Sequence, residues 1–124
     1  MIKHYIATGF GGALGAIMRL LTANLLPLSV FGIPLPILVV NVVGCLIMGV
    51  LTEFMAFYWS PSDAVRYFLI SGILGGFTTF SAFALEFGLL FQKNQFVLSF
   101  LYIALSVLLS VVFFFVGIKI VRLF

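Results

Sequence analysis

The 124-residue sequence is short of charge: only 7% of its residues are Asp, Glu, Lys or Arg, with three carboxylates against six basic side chains. Soluble domains average roughly a quarter charged residues. With 65% hydrophobic residues, a chain of single-domain length cannot bury its apolar surface in its own core, so the solvent for most of it is lipid. Histidine and cysteine are each present once, as His4 and Cys45. That excludes an internal disulfide and a His/Cys metal cluster, and Cys45, deep in an apolar run, reads as a small buried side chain. Glu53, Asp63 and Glu86 fall in different segments, which removes paired-carboxylate acid–base chemistry. The early GFGGALG has Leu14 where a dinucleotide loop needs its third glycine. No Ser–His–Asp set is present either, and an enzyme is not expected. Lys3, Arg19, Arg66, Lys93, Lys119 and Arg122 are scattered singly. No basic stripe tracks a phosphate backbone, so nucleic acid is not an expected partner.

Long apolar runs are what the sequence has instead. A spanning helix needs about 20 mostly apolar residues. Four segments qualify: His4 to Leu26, Leu35 to Tyr58, Tyr67 to Phe91, and Phe96 to Arg122. Between them stand PLSVFGIPLP, WSPSDAVR and QKNQ, stretches of proline, glycine and polar residues that punctuate helices. Tyr58, Trp59 and Tyr67 flank the second connection, where interfacial aromatics belong. The connections are too short for an extramembrane domain, so residues 1–124 are expected to form one all-α transmembrane domain. The opening MIKHYIATGFGGALGAIMRLL lacks a short apolar core followed by a small-residue cleavage site, and is expected to stay as the first span. Four crossings put both termini on one side, with Lys3, Arg66, Lys119 and Arg122; Arg19 and Lys93 fall on the other. This bias weakly favours cytoplasmic termini and leaves insertion in both orientations open. A multi-pass protein of the inner, or plasma, membrane is expected, with lipid as its surroundings.

Polar residues inside spans are functional candidates by default. Gly11 and Gly15 in the first span, and Gly72 and Gly76 in the third, place small residues four apart. Such pairs let backbones approach closely, within the bundle or between subunits. Asn41 in the second span is either interhelical glue or a pore-facing donor. In the last span Ser99, Tyr102, Ser106 and Ser110 are spaced three, four and four apart, which aligns them on one helical face. Serines there can bond back to their own helix, or a hydroxyl stripe can line a hydrated pathway. The third span carries GGFTTFSAF at residues 75–83. Glycine and β-branched threonine weaken a helix, and a break is expected at GGFTT. Irregular backbone at membrane depth is tolerated only where it is buried in protein or lines a cavity. Freed carbonyls are hard oxygen ligands for an alkali cation, and Thr78, Thr79 and Ser81 add hydroxyls. Phe80 and Phe83, three apart, share a face; a phenyl ring has a positive edge that can solvate an anion without a fixed charge.

GGALGAIMR (11–19), NVVGCLIMG (41–49) and GGFTTFSAFALE (75–86) resemble the signature blocks of the Fluc, or CrcB, fluoride channels. Block order, spacing and four crossings match as well, so the resemblance covers nearly the whole chain. It implies an antiparallel, dual-topology homodimer with two fluoride pores at its interface. Phe80 and Phe83 would form aromatic boxes beside the ions, with Thr79 and Ser81 as neighbouring hydroxyls and Asn41 as a pore-lining donor. Tyr102, Ser106 and Ser110 resemble the polar track of the last helix. The carbonyls of Gly75 and Thr78, with their symmetry mates, would hold a central structural sodium ion. Arg19 matches the vestibule arginine and Glu86 the acidic residue after the aromatic block. One departure stands out: Ala82 occupies the place of a family threonine.

Three functions follow as expectations. The first is a passive fluoride-selective channel that exports cytoplasmic fluoride down its gradient. The second is a small proton-coupled multidrug-type exporter, which wants a carboxylate in the first span where this chain has none. The third is a non-transporting scaffold, in which Phe80, Asn41 and Ser106 matter only to folding.

Overall fold

Four helical runs are long and apolar enough to cross a membrane in a computed structural model that describes residues 1–124: Ile2–Leu25, Pro36–Phe57, Asp63–Gln92 and Phe96–Arg122. The first two are α1 and α2. The third run comprises Asp63–Arg66 (α3), a π-helical stretch Tyr67–Leu74, Gly75–Phe77 (α4) and Phe80–Gln92 (α5), and the last run is α6. The shortest, α2, has 22 residues. At 1.5 Å per residue that is about 33 Å, enough for a hydrocarbon layer of roughly 30 Å. Phe10, Val97, Leu108 and Phe115 are exposed on the outer faces, as side chains solvated by lipid should be.

The ends of the first three runs shift slightly from the sequence expectation, and for the third run the reason is local. The third begins at Asp63 rather than Tyr67 because Ser62 caps it: the Val65 N–H donates to Ser62 Oγ at 3.4 Å, and Asp63 sits in the first turn, where a negative charge suits the helix dipole. It ends at Gln92, after which Asn94 adopts a left-handed φ of 62°. There the Gln95 N–H donates to Leu90 O and the Asn94 N–H to Phe91 O, a Schellman closure that explains QKNQ. The purely α-helical expectation needs correction. Ser29–Val30 (β1) pairs antiparallel with Ile33–Pro34 (β2) in the first connection. Phe31 and Gly32 between them have φ of 54° and 83°, the two positive values that a two-residue hairpin turn needs.

Two glycine seams hold the bundle. A Cβ on Gly11 would lie 2.9 Å from Gly72 Cα, one on Gly76 would lie 3.0 Å from Gly12 Cα, and one on Gly15 would fall on the Ile73 carbonyl. The glycines of α1 and of the third run therefore face each other inside one chain. The second seam joins α2 to α6, where a Cβ on Gly49 would fall on Phe114 O and one on Gly117 on Leu46 O. With little hydrophobic drive between helices in lipid, this close backbone contact supplies the packing.

Near the middle of the third run, between α4 and α5, Thr78 (φ −83°, ψ 153°) and Thr79 (φ −152°, ψ 123°) are extended. The glycines of GGFTT are themselves helical: Gly75 and Gly76 belong to α4. The residues upstream, Tyr67–Leu74, are wound as a π-helix, a wider turn common at functional sites.

Candidate functional site

An extended residue at membrane depth has no helical partners for its backbone groups, and leaving each unsatisfied would cost several kcal/mol. Asn41 supplies both partners for Thr79. Its Nδ2 donates to Thr79 O at 3.0 Å, and the Thr79 N–H donates to its Oδ1 at 2.8 Å. One side chain on α2 thus docks the extended pair as a neighbouring strand would, and one amide N–H of Asn41 stays uncommitted. Thr79 then caps α5, accepting from the Ala82 N–H at 3.2 Å through Oγ1, which also lies 3.2 Å from Ser81 Oγ. Thr78 turns its hydroxyl back to Leu74 O at 2.9 Å. Its Cγ2 fills the space that Gly44 leaves on α2. The Thr78 carbonyl, by contrast, receives no hydrogen bond from within the chain.

Beside this pair opens a cavity of about 270 Å³, lined by Asn41, Cys45, Thr78, Thr79, Phe80, Phe83, Ser106, Val107, Ser110 and Val111. None of these residues is charged. The Phe80 and Phe83 ring centroids are 5.3 Å apart at 58°. Phe83 is buried, whereas Phe80 is 78% exposed and stands at the open side of the cavity. Tyr102 lies behind Phe83, with centroids 5.3 Å apart.

The hydroxyl stripe on α6 divides into two parts. Ser99 Oγ donates back to Phe96 O at 2.9 Å, so it is satisfied within its own helix. Tyr102 Oη and Ser106 Oγ are buried one helical turn apart, and neither bonds to any group outside α6. Ser106 belongs to the cavity lining, though its Oγ is itself shielded from solvent.

Seven of the sequence-level candidates line this one space: Asn41, Thr78, Thr79, Phe80, Phe83, Ser106 and Ser110. Tyr102 and Ser81 touch its lining, through Phe83 and Thr79 respectively. Gly75, Arg19 and Glu86 are not part of the lining. Cys45 is an addition: the sequence reading placed it as inert packing, yet it lines the cavity one helical turn after Asn41. The i, i+4 spacing from Asn41 was the available signal. A second feature, invisible to local reading, is the ion pair between Arg122 Nε and Glu53 Oε1 at 2.9 Å. The polar side chains of the cavity lining are the Asn41 amide and the hydroxyls of Thr78, Thr79, Ser106 and Ser110.

A four-span membrane protein with an uncharged cavity, open on one side and edged by amide, hydroxyl and phenyl groups, is the class these features define. The family model described as CrcB-like protein, Camphor Resistance (CrcB), matches residues 6–118, and the chain belongs to that family. It is 42% identical over 118 residues to the fluoride-specific ion channel FluC of Rhizobium johnstonii, covering 94% of each chain. It is 38% identical over 121 residues to the fluoride-specific ion channel FluC 2 of Nitrobacter hamburgensis, covering 96% of this chain and 97% of that one. Identity to the FluC of Cereibacter sphaeroides is 42% over 124 residues, with 98% and 97% covered. The chain is a multi-pass protein of the inner membrane.

Proposed function

We propose that this chain is a passive fluoride-selective ion channel and not an enzyme. The observation that carries the reading is the cavity itself: amide, hydroxyl and phenyl groups converge on it, and no charged side chain lines it. The naming of its relatives as fluoride-specific channels supports the same ion. Fluoride is small and tightly hydrated, so a selective path must replace its water with donors and still release it. A fixed cation would hold the ion too long. Neutral donors and ring edges meet both demands. Passive flow then lets accumulated cytoplasmic fluoride leave down its gradient. The proton-coupled exporter gains no support, since Glu53, Asp63 and Glu86 all lie outside the lining.

The cavity is open on the side of Phe80, which is 78% exposed. This supports pores completed by a second copy, with the two copies inserted antiparallel. In such a dimer the extended pair interrupts the third helix at the shared axis. The Thr78 carbonyl, free of intrachain hydrogen bonds, fits a hard-cation ligand. With Gly75 and the equivalent carbonyls of the second copy it would hold a structural sodium ion, which supplies positive charge where the interrupted helices meet.

The test is anion release from liposomes containing the purified protein, followed with a fluoride electrode and repeated with chloride. Rapid fluoride loss with negligible chloride loss is expected. Folded, assembled protein that releases neither ion would overturn the channel reading in favour of a scaffold.

A further inference from the structure

The Glu53–Arg122 pair lies at the joint ends of α2 and α6, far along both helices from the central cavity. Glu53 is buried at 7% exposure and sits four residues before the last residue of α2, while Arg122 is the last residue of α6. At 1.5 Å per residue Glu53 is only about 6 Å from its helix end. Phe57 closes the helix and Tyr58 and Trp59 follow it, which suits a pair at headgroup level, in the zone of interfacial aromatics.

The pair is incompletely used within the chain. Glu53 Oε1 accepts from Arg122 Nε. The second carboxylate oxygen and the two terminal guanidinium nitrogens make no hydrogen bond in the chain, and the Arg122 side chain is 67% exposed. These groups face a cleft of about 470 Å³ with Phe57 and Tyr58 on its walls. Against it lies an apolar groove of about 340 Å³, formed by Val50, Phe54 and Phe124 among others, which shares Tyr58 and Val121 with the cleft.

We propose that cleft and groove together bind one phospholipid with a zwitterionic, primary-amine headgroup. The guanidinium fork takes the phosphate, in the geometry for which arginine is suited. The headgroup ammonium donates to the free Glu53 oxygen and lies against the aromatic walls. An acyl chain fills the groove. Each alternative ligand mismatches one part. A purely anionic headgroup places no cation on Glu53. A quaternary amine has no N–H for its free oxygen. A water-soluble phosphate ester leaves the groove bare. A second copy of this chain would have to bury an exposed guanidinium. The site is remote from the channel cavity, so its failure leaves the channel reading intact, and failure of that reading leaves this site intact.

The experiment is native mass spectrometry of the purified, assembled protein with equal amounts of dioleoyl phosphatidylethanolamine, phosphatidylcholine and phosphatidylglycerol. Phosphatidylethanolamine should be retained about tenfold more than phosphatidylcholine, the worth of one charge-assisted hydrogen bond. Retention should fall stepwise through the mono- and dimethylated amines. In E53Q, shown folded by circular dichroism and gel filtration, the preference for ethanolamine over choline should vanish. Should that variant not fold, the methylation series on the unaltered protein decides alone. Equal retention of ethanolamine and choline lipids, or an unchanged preference in E53Q, would overturn the proposal. So would stronger retention of phosphatidylglycerol, displacement by glycerophosphoethanolamine, or lipid held by single chains but excluded from the assembled protein.

Discussion

Beside the middle of the third run, Asn41, Thr79, Ser106 and Ser110 gather around a cavity without one formal charge. At the ends of α2 and α6, Glu53 and Arg122 carry full charges 2.9 Å apart. The two places differ in what water can do. At the helix ends, solvent and headgroups reach and screen the 67% exposed Arg122 side chain, although Glu53 itself is buried. At the centre there is little screening, so a fixed charge would either exclude an ion or hold it. Uncharged donors there, and charges only at the rim, follow from that gradient in dielectric.

Placing a charge at the centre should break the comparison most severely. Asn41→Asp keeps the shape but removes the donor to Thr79 O and sets a carboxylate beside the anion path. Fluoride flux should fall by about 100-fold, the result of roughly 2.7 kcal/mol of repulsion at partial screening. Unchanged flux in folded protein would show that the cavity is not the path. Removing the exposed ring is the next step. Phe80→Ala should lower flux about tenfold while assembly persists, as expected for an edge contact worth near 1.4 kcal/mol. Flux equal to the unaltered protein would remove the ring-edge account.

Chemical modification probes the same space more gently. Cys45 lines the cavity, so a methanethiosulfonate reagent should crowd about 270 Å³ of space and reduce flux severalfold. Cys45→Ala should abolish the sensitivity. Full sensitivity in that variant would point to an unspecific effect, since no other cysteine exists. The smallest effect belongs to the charged end. Glu53→Gln should leave fluoride flux unaltered and lower stability by about 1 kcal/mol, because Glu53 is buried but its partner Arg122 is 67% exposed and screened. A large loss of flux would join the two regions and undo the contrast between them.

Much of this was legible in the residues. Hydropathy located four runs, and the last, Phe96–Arg122, has the same limits in the structure. Polar side chains within those runs named five residues of the cavity lining, and the phenylalanines set among them two more. Other features had no local signature. Asn41 and Thr79 lie 38 residues apart, and Glu53 and Arg122 lie 69 apart, so no helical period links them. GGFTT read as uniformly weak, yet its glycines stay helical and its threonines are extended. Gly76 is pressed against Gly12, where backbone contact holds it, whereas Thr79 is drawn out by Asn41. Tertiary partners overrode propensity.

Sequence alone determined that this chain lives in lipid and where its helices cross, because spanning depends on length and hydropathy, both properties of contiguous residues. The glycine spacing determined that helices would pack closely, though not which ones would pair. Tertiary structure alone decided that Asn41 would satisfy an extended threonine rather than stand free. It also decided that Cys45 would face a cavity, and that a carboxylate and a guanidinium from distant runs would meet at the membrane surface. Pairings of this kind depend on which helix lies beside which, and in lipid that choice is made by close packing and hydrogen bonds between helices, which no single segment encodes.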